Sequence, residues 1–416
     1  MNTSNNTKYW LLSCALFSFF LTWSFGFSLF PIWLNQTIGL TGEQTGIIFS
    51  ISALAALAVM PCYGYIQDKL GLGKGLLFTV GALLFLSGPF FIFIYGPLLI
   101  SNFYLGAILG AIFFSAAFSA GVGAVETYVE RVSRAADFEY GRARMWGSLG
   151  WATATFFAGY LFNLDPSYNF ILASISACIF LVSIALLNSD ELKNDKLDVD
   201  TTVTKDSEVN FKDAVKILTL KEFWGFATFI MGVSCVYGVY DQQFPIYFSS
   251  LFPTQDEGNA MYGYLNSFQV FLEAGGMFLA PFIVNKIGAK NGLLLSGVIM
   301  AMRIVGSGYA DDTVTISIMK LLHAAELPIM LVAIFKYISI TFDNKYSATI
   351  YIVGFQFMSQ VIASGLSVVV GAMYDSIGFP ETYKILGAIV STFVVISYFS
   401  LGKSNHAKKS SPQVQT

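Results

Sequence analysis

The sequence predicts an all-α membrane protein with twelve transmembrane helices. Hydrophobic residues make up 55% of the 416 residues and charged residues only 12%, whereas a soluble domain carries about 25% charged residues. Long apolar stretches recur along the whole chain, and a membrane-spanning helix needs roughly 20 such residues. A soluble fold is therefore not expected. The net charge of −3 is small, and the lack of a basic domain argues against nucleic-acid binding.

The apolar stretches divide into two groups of six. The first stretch is too long for a signal peptide and lacks a small-residue cleavage site, so it is interpreted as the first span. The predicted spans are 9–34, 45–67, 75–98, 103–130, 142–163, 168–188, 222–250, 260–286, 291–309, 313–340, 346–375 and 381–402. A polar stretch separates spans 6 and 7. The predicted domains are an N-terminal six-helix bundle (1–188), a flexible cytoplasmic linker (189–221), a C-terminal six-helix bundle (222–402) and a cytoplasmic tail (403–416).

Lysine and arginine residues fall on one side of the predicted membrane. None lies in the loops on the opposite side, which are 35–44, 99–102, 164–167, 251–259, 310–312 and 376–380. Because cytoplasmic loops carry the excess of these residues, both termini and the linker are predicted to be cytoplasmic. We expect a multi-pass protein of the cell inner membrane, embedded in the lipid bilayer and monomeric.

Four related motifs close spans 2, 5, 8 and 11. Residues 64–71 read Gly-Tyr-Ile-Gln-Asp-Lys-Leu-Gly and residues 281–288 read Pro-Phe-Ile-Val-Asn-Lys-Ile-Gly, with weaker copies at 159–163 and 371–378. This spacing predicts units of three helices repeated within each half. The motif at 64–71 resembles the loop signature of the major facilitator superfamily. That resemblance implies two bundles around a central cavity that opens alternately to each side.

Ionisable side chains inside the apolar spans are costly and usually serve function. In span 10, Lys320, His323 and Glu326 recur every three residues and therefore share one helix face. Arg303 in span 9 and Asp241 in span 7 are natural partners for that face. An apolar environment favours a protonated carboxyl, and a nearby guanidinium favours the ionised form. Glu326 is therefore suited to load and release a proton; the alternative is a static salt-bridge cluster.

The N-terminal half carries a different set of polar residues. Arg144, Ser148 and Trp151 share one face of span 5, while Glu126 lies on span 4 with Val122 one turn before it. A carboxylate–guanidinium pair beside an indole suits a sugar, because its hydroxyls take charged hydrogen bonds and its apolar ring face stacks on tryptophan. The alternatives are charges at helix ends that reach the interface and a tryptophan that only packs.

The motifs around these residues resemble the oligosaccharide–proton symporters, which include the lactose, melibiose, raffinose and sucrose permeases. The resemblance covers nearly the whole chain, and its most specific motifs lie at 125–134, 138–144, 241–244 and 320–328. It implies that a proton is the coupling ion and that no cofactor is required. A small sugar and a proton are therefore the expected partners.

Together these arguments predict which residues bind sugar and which couple it to the proton. The predicted sugar-binding residues are Val122, Glu126, Arg144, Ser148, Trp151, Tyr237, Glu273 and His323. By the resemblance, Glu326 is the coupling carboxyl, Arg303 aids its deprotonation, and His323 helps to organise the site. Asp241 and Lys320 are implied to form a charge pair.

Two departures from the lactose permease pattern bear on the substrate. Gly238 and Ser359 replace an Asp–Lys pair, so no buried charge is left unpaired. Val270 replaces an acidic residue of span 8, and Glu273 follows three residues later. Both departures resemble the sucrose permease, although Glu126 and the tryptophan of span 5 keep the galactoside pattern. Sucrose is the first expectation, and a galactoside such as melibiose, raffinose or lactose is the alternative.

Other functional classes agree less well with the sequence. An uncoupled sugar facilitator needs no coupling carboxyl, and a sugar sensor without turnover would need a signalling domain. A membrane enzyme is not expected, because no nucleophile–base pair, metal-ligand spacing, HExxH or GxSxG motif is present. The four cysteines lie in apolar runs without a CxxC pair, so neither a disulfide framework nor a metal site is expected.

Overall fold

The computed structural model is helical throughout the part of the chain that it describes. The described residues are 3–136, 138–187, 217–343 and 346–402. Within these ranges there is no β-strand, and nine helices are long and apolar enough to cross a membrane. A bent pair, Gly75–Phe85 and Ser87–Ser101, makes a tenth. The predicted tail and most of the predicted linker lie outside the described residues.

We number the helices α1 to α12 in chain order. The first six are α1 (Thr3–Phe27, Phe30–Ile32 and Trp33–Thr37), α2 (Gly42–Leu70), α3 (Gly75–Phe85, Ser87–Pro89, Phe90–Tyr95 and Gly96–Ser101), α4 (Phe103–Phe114, Ser115–Ser119 and Ala120–Ala135), α5 (Tyr140–Leu164) and α6 (Pro166–Leu186). The last six are α7 (Lys221–Phe229, Ile230–Ser234 and Cys235–Ser250), α8 (Gln255–Ile287), α9 (Ala289–Tyr309), α10 (Thr313–Leu321 and His323–Thr341), α11 (347–377) and α12 (379–400).

Two features of this helix set have a physical explanation: the low hydropathy of α5 and the break between α11 and α12. α5 falls outside the apolar set because the stretch 145–162 is rich in glycine, threonine and tryptophan, which lower its mean hydropathy. The stretch Met358–Ser400 is continuous except at Gly378, whose φ of 81° is non-helical. A positive φ of this kind is readily adopted only by glycine, and the break separates α11 from α12. The helices are therefore consistent with the twelve predicted spans.

Polar caps begin several helices. Thr41 accepts a hydrogen bond from the backbone N–H of Gln44, whose side chain bonds back to the N–H of Thr41, so α2 starts in a capping box. Asp165 caps α6, and Asp312 caps α10. Large apolar side chains cover the outer faces of the helices; Phe93, Phe278 and Phe399 are each more than 70% exposed. Such surfaces suit lipid rather than water.

Two of the four repeated motifs make contacts within their own half. The Asp68 carboxylate accepts a hydrogen bond from Arg131 at 2.7 Å, which ties the end of α2 to α4. Asn285 occupies the corresponding position at the end of α8, and its side-chain oxygen lies 2.7 Å from Nζ of Lys336 on α10. These two motifs therefore brace their own halves at the end predicted to be cytoplasmic.

The two weaker motifs instead connect the first six helices to the last six. Asn163 at the end of α5 accepts a hydrogen bond from the side chain of Asn259 on α8, at 3.1 Å. The Asp375 carboxylate at the end of α11 accepts hydrogen bonds from the backbone N–H groups of Gly42 and Glu43, both at 2.8 Å. The carboxylate thus caps the first turn of α2, where the helix dipole favours negative charge.

Glycines allow these pairs of helices to approach closely. A Cβ atom at Gly159 on α5 would lie 2.8 Å from Cα of Ala260 on α8, and one at Gly371 on α11 would lie 3.1 Å from Cα of Glu43 on α2. Gly64, near the other end of α2, faces open space. The cleft between the two halves is therefore closed at the end predicted to be outside.

Candidate functional site

A central cavity of about 260 Å³ lies between helices of the two halves. α1 and α5 form one wall, and α7, α8 and α10 form the other. The residues that line it are Phe20, Arg144, Ser148, Trp151, Tyr237, Asp241, Asn266, Gln269, Val270, Glu273, His323 and Leu327. A ligand in this cavity would contact both halves at once.

On the wall of the first half, an ion pair lies beside aromatic rings. Nε of Arg144 on α5 donates to Oε1 of Glu126 on α4 at 2.5 Å. The Arg144 guanidinium also lies over the ring of Phe20, 4.2 Å from its centroid. Both charged side chains remain about one-third exposed, at 32% and 31%, and that of Arg144 lines the cavity. Trp151 lies two turns further along α5 and contacts the ring of Trp23 edge to face, with centroids 5.7 Å apart.

The opposite wall presents three polar side chains of α8. Asn266, Gln269 and Glu273 follow one another at helical spacing and all line the cavity. Asn266 donates to Oγ1 of Thr155 on α5 at 3.2 Å. The side-chain oxygen of Gln269 is buried and has no hydrogen-bond partner among the described residues. A buried amide oxygen without a partner is costly unless a ligand or water satisfies it.

Next to the cavity, Arg303 of α9 connects the ionisable residues of the second half. Its side chain is fully buried, and it donates to Oδ1 of Asp241 at 2.7 Å and to Oε2 of Glu326 at 3.1 Å. The same guanidinium lies 3.2 Å from Nδ1 of His323. Oε1 of Glu326 is buried and has no hydrogen-bond partner within the described ranges.

The charges of this cluster balance in pairs. Nζ of Lys320 lies 2.9 Å from Oδ1 and 3.0 Å from Oδ2 of Asp241. Arg303 and Lys320 are therefore matched by the carboxylates of Asp241 and Glu326. A proton added to Glu326 would leave one positive charge in excess, and an unbalanced charge in a buried site is unfavourable.

Tyr237 and His323 connect the charged cluster to the cavity. The Tyr237 hydroxyl lies 2.7 Å from Nε2 of His323, and the two rings stack with centroids 4.6 Å apart. Both residues line the cavity, and His323 contacts Arg303 through its other ring nitrogen. A ligand that contacts Tyr237 or His323 would therefore be only one side chain away from the guanidinium that binds Glu326.

The profile of the LacY proton/sugar symporter family matches residues 1–412 of this chain. The chain belongs to that family. Its relatives include the raffinose permease of Escherichia coli, which is 41% identical over 97% of this chain and 95% of the permease. The melibiose permease of Enterobacter cloacae subsp. cloacae is 42% identical over 96% and 95% of the two chains. The sucrose permease of Escherichia coli is 39% identical over 96% of this chain and 94% of the permease.

The fold comparison agrees with this assignment. The crystal structure of the nucleoside transporter NupG superimposes with a TM-score of 0.80 and covers 96% of this chain and 99% of its own, at 14% identity. The symporter therefore has the major facilitator fold expected from its sequence. Its relatives are permeases, which are transporters rather than enzymes.

The structure brings most of the predicted sugar-binding residues of the symporter together. Those that line the cavity are Arg144, Ser148, Trp151, Tyr237, Glu273 and His323. Glu126 is held next to the cavity by Arg144, while Val122 lies one turn before it on α4 and does not line the cavity. Arg303, Lys320 and Glu326 form the buried cluster behind it.

Sequence reasoning missed several residues of the cavity. Asn266 and Gln269 are neutral, so a search for charges in apolar spans passes over them, although their spacing with Glu273 marks a polar face of α8. Phe20 and Leu327 give no signal at all, because apolar residues are expected throughout a membrane helix.

Proposed function

We propose that the symporter carries sucrose into the cell together with a proton, with a galactoside such as melibiose, raffinose or lactose as the alternative substrate. The observation that supports this most is the cavity in which the Arg144–Glu126 pair and Trp151 face Gln269 and Glu273 across the two halves. The identities to the sucrose, raffinose and melibiose permeases lie within a few per cent of one another, so they do not separate these sugars.

We assign the first contacts with the sugar to α4 and α5. The carboxylate of Glu126 and the free nitrogens of Arg144 bind ring hydroxyls, and charged hydrogen bonds of this kind are about twice as strong as neutral ones. Trp151 stacks on the apolar face of the ring, Ser148 lines the same wall, and Val122 supports the wall from one turn before Glu126 on α4. Glu273 and His323 bind from the second half, and this bridging favours the state in which the halves close around the sugar.

The proton is assigned to Glu326. A sugar held by Tyr237 and His323 favours one arrangement of these side chains, and the contact of His323 with Arg303 transmits that preference to the coupling carboxyl. After the sugar leaves on the cytoplasmic side, Arg303 stabilises the ionised form of Glu326 and the proton is lost. Asp241 and Lys320 keep the remaining charges paired throughout. We place the symporter in the cell inner membrane as a monomer with both termini cytoplasmic.

The direct test is the external pH of lightly buffered, de-energised cells that produce the symporter. Sucrose, melibiose, raffinose, lactose and maltose are added one at a time. A transported sugar is expected to cause alkalinisation, because each sugar molecule carries a proton inward. Counterflow of labelled sugar without alkalinisation would indicate an uncoupled facilitator. No response in either assay would contradict the proposal that this class of sugar is the substrate.

Replacing Arg144 by lysine is expected to weaken sugar binding about 100-fold. Lysine keeps the positive charge but lacks the planar fork that binds Glu126 and a hydroxyl together, and each lost charged hydrogen bond costs about 1.5–3 kcal/mol. The measurement is the Kd of the transported sugar from competition binding to purified protein. Arg142→Lys is the matched control, since Arg142 is exposed two residues earlier on the same helix. Unchanged binding in the Arg144 variant would contradict this role.

A further inference from the structure

A second cavity lies beside the central one. It has a volume of about 190 Å³, and we call it the aromatic cavity. Trp23, Phe27 and Phe118 of α1 and α4 supply its apolar wall, and Gln242 of α7 and Gln360 of α11 face them from the other half. Aromatic faces opposite amide groups form the combination that binds a sugar ring, through its apolar face on one side and its hydroxyls on the other.

The two cavities are neighbours. The ring of Trp23 lies 5.7 Å from that of Trp151 and 5.8 Å from that of Phe20, both of which line the central cavity. On the opposite wall, Asp241 lines the central cavity and the next residue, Gln242, lines the aromatic one. On the side of the first half, the two cavities are therefore about one aromatic ring apart.

The amides of the aromatic cavity are available to a ligand. Gln242 and Gln360 are half-buried, and neither side chain makes a hydrogen bond within the described part of the chain. Gln243, in contrast, donates to the backbone oxygen of Gly42 at 2.8 Å. Amides that only brace the fold are bonded in this way, whereas the two in the cavity keep their donors and acceptors free.

Volume indicates what the pair of cavities can hold. A hexose ring displaces roughly six water molecules, or about 180 Å³ at about 30 Å³ per water. A disaccharide therefore needs about twice that volume. The central cavity, at about 260 Å³, has room for the first ring, and the aromatic cavity beside it, at about 190 Å³, has room for a second.

We propose that the second ring of the transported disaccharide occupies the aromatic cavity, with Trp23 and Phe118 against its apolar face and Gln242 and Gln360 bonded to its hydroxyls. This inference rests on the proposed function, and it divides the substrate between the two cavities. The ring on Trp151 is held by charged groups, whereas the second ring is held by neutral amides and aromatic contacts.

The test fills the aromatic cavity and compares ligands of one and two rings. Ala363→Phe adds a ring from α11, and Ala363 lines only the aromatic cavity. The affinity for the transported disaccharide is expected to fall at least 10-fold. The affinities for the methyl glycosides of its two component monosaccharides are expected to stay within 2-fold. The matched control is Val361→Phe, because Val361 is exposed on the same helix and lines neither cavity.

A second variant guards against misfolding. Gln360→Leu removes one amide without adding bulk, and we expect a 5- to 10-fold loss for the disaccharide alone. Methyl glycosides that fail to compete with the disaccharide in the wild type would contradict the inference, because the charged groups of the central cavity are expected to bind one ring without the second.

The contrary results separate this inference from the proposed function. A wild type that binds no sugar overturns both. Unchanged disaccharide binding in Ala363→Phe and Gln360→Leu overturns the inference alone, as does an equal loss for ligands of one and two rings.

Discussion

Replacing Glu326 by glutamine is expected to reduce the accumulation ratio of sugar to 1, while exchange of sugar across the membrane stays within about 3-fold of the wild type. Glutamine has nearly the same volume as glutamate, and its carbonyl can still accept the hydrogen bond from Arg303 that Oε2 accepts at 3.1 Å. Its amide, however, neither binds nor releases a proton. Sugar exchange can proceed on a carrier that stays in its protonated state. Uphill transport needs a carrier that releases its proton to the cytoplasm.

The arrangement of the buried cluster supports the same expectation. With glutamine at 326, Arg303 and Lys320 face one remaining carboxylate, that of Asp241, as they do when Glu326 is protonated. The variant therefore imitates the loaded carrier permanently. Its exchange rate should also be independent of an imposed proton gradient, unlike net uptake by the wild type.

The measurement uses energised cells or vesicles with labelled sugar. Uphill accumulation and equilibrium exchange are followed in the same preparation, and sugar binding to purified protein shows that the variant is folded. Glu130→Gln serves as the control, because Glu130 forms an exposed pair with Arg134 at 2.7 Å and such pairs contribute little. If the Glu326 variant still accumulates sugar uphill, Glu326 is not the coupling carboxyl.

The charged residues of this site could be predicted from sequence because they are conspicuous in an apolar helix. Lys320, His323 and Glu326 share one face by spacing alone. Arg303 in span 9 and Asp241 in span 7 are natural partners for that face. The sequence could not show that Arg303 contacts Asp241, Glu326 and His323 simultaneously, because that depends on how α7, α9 and α10 pack. Nor could it show that helix α10 is interrupted at Leu322, between Lys320 and His323.

Neutral parts of the site were less predictable. Gln242 and Gln360 are more than a hundred residues apart, and only the fold brings α7 and α11 to the same cavity. The chain has 40 phenylalanines, so the few that line the aromatic cavity, such as Phe27 and Phe118, do not stand out from those that face lipid. The repeated motifs were recognised, but their sequence did not distinguish Asn163 and Asp375, which join the two halves, from the copies that brace one half.

That difference leads to a prediction about the closed outer end. Gly159→Val is expected to hold this end open, because even the first side-chain carbon at 159 would collide with the backbone of Asn259 and Ala260. A Cβ atom closer than 3.0 Å to backbone forces a shift, and the helices α5 and α8 cannot yield without separating. The hydrogen bond between Asn163 and Asn259 would then be lost as well. Each transport cycle requires closure at both ends, so transport should fall at least 50-fold.

Accessibility from outside distinguishes an open outer end from a misfolded protein. A single cysteine at Ser52, which lines the aromatic cavity, is placed in a background without Cys14, Cys62, Cys178 and Cys235. In Gly159→Val cells its reaction with a membrane-impermeant maleimide should accelerate at least 10-fold, while sugar still slows the reaction by occupying the cavity. Gly141→Val is the matched control, because a side chain at 141 on the same helix meets open space. Equal reactivity in the two valine variants would mean that the contact at Gly159 does not control closure, and that other contacts between the halves, such as that of Gly371 with α2, hold the outer end.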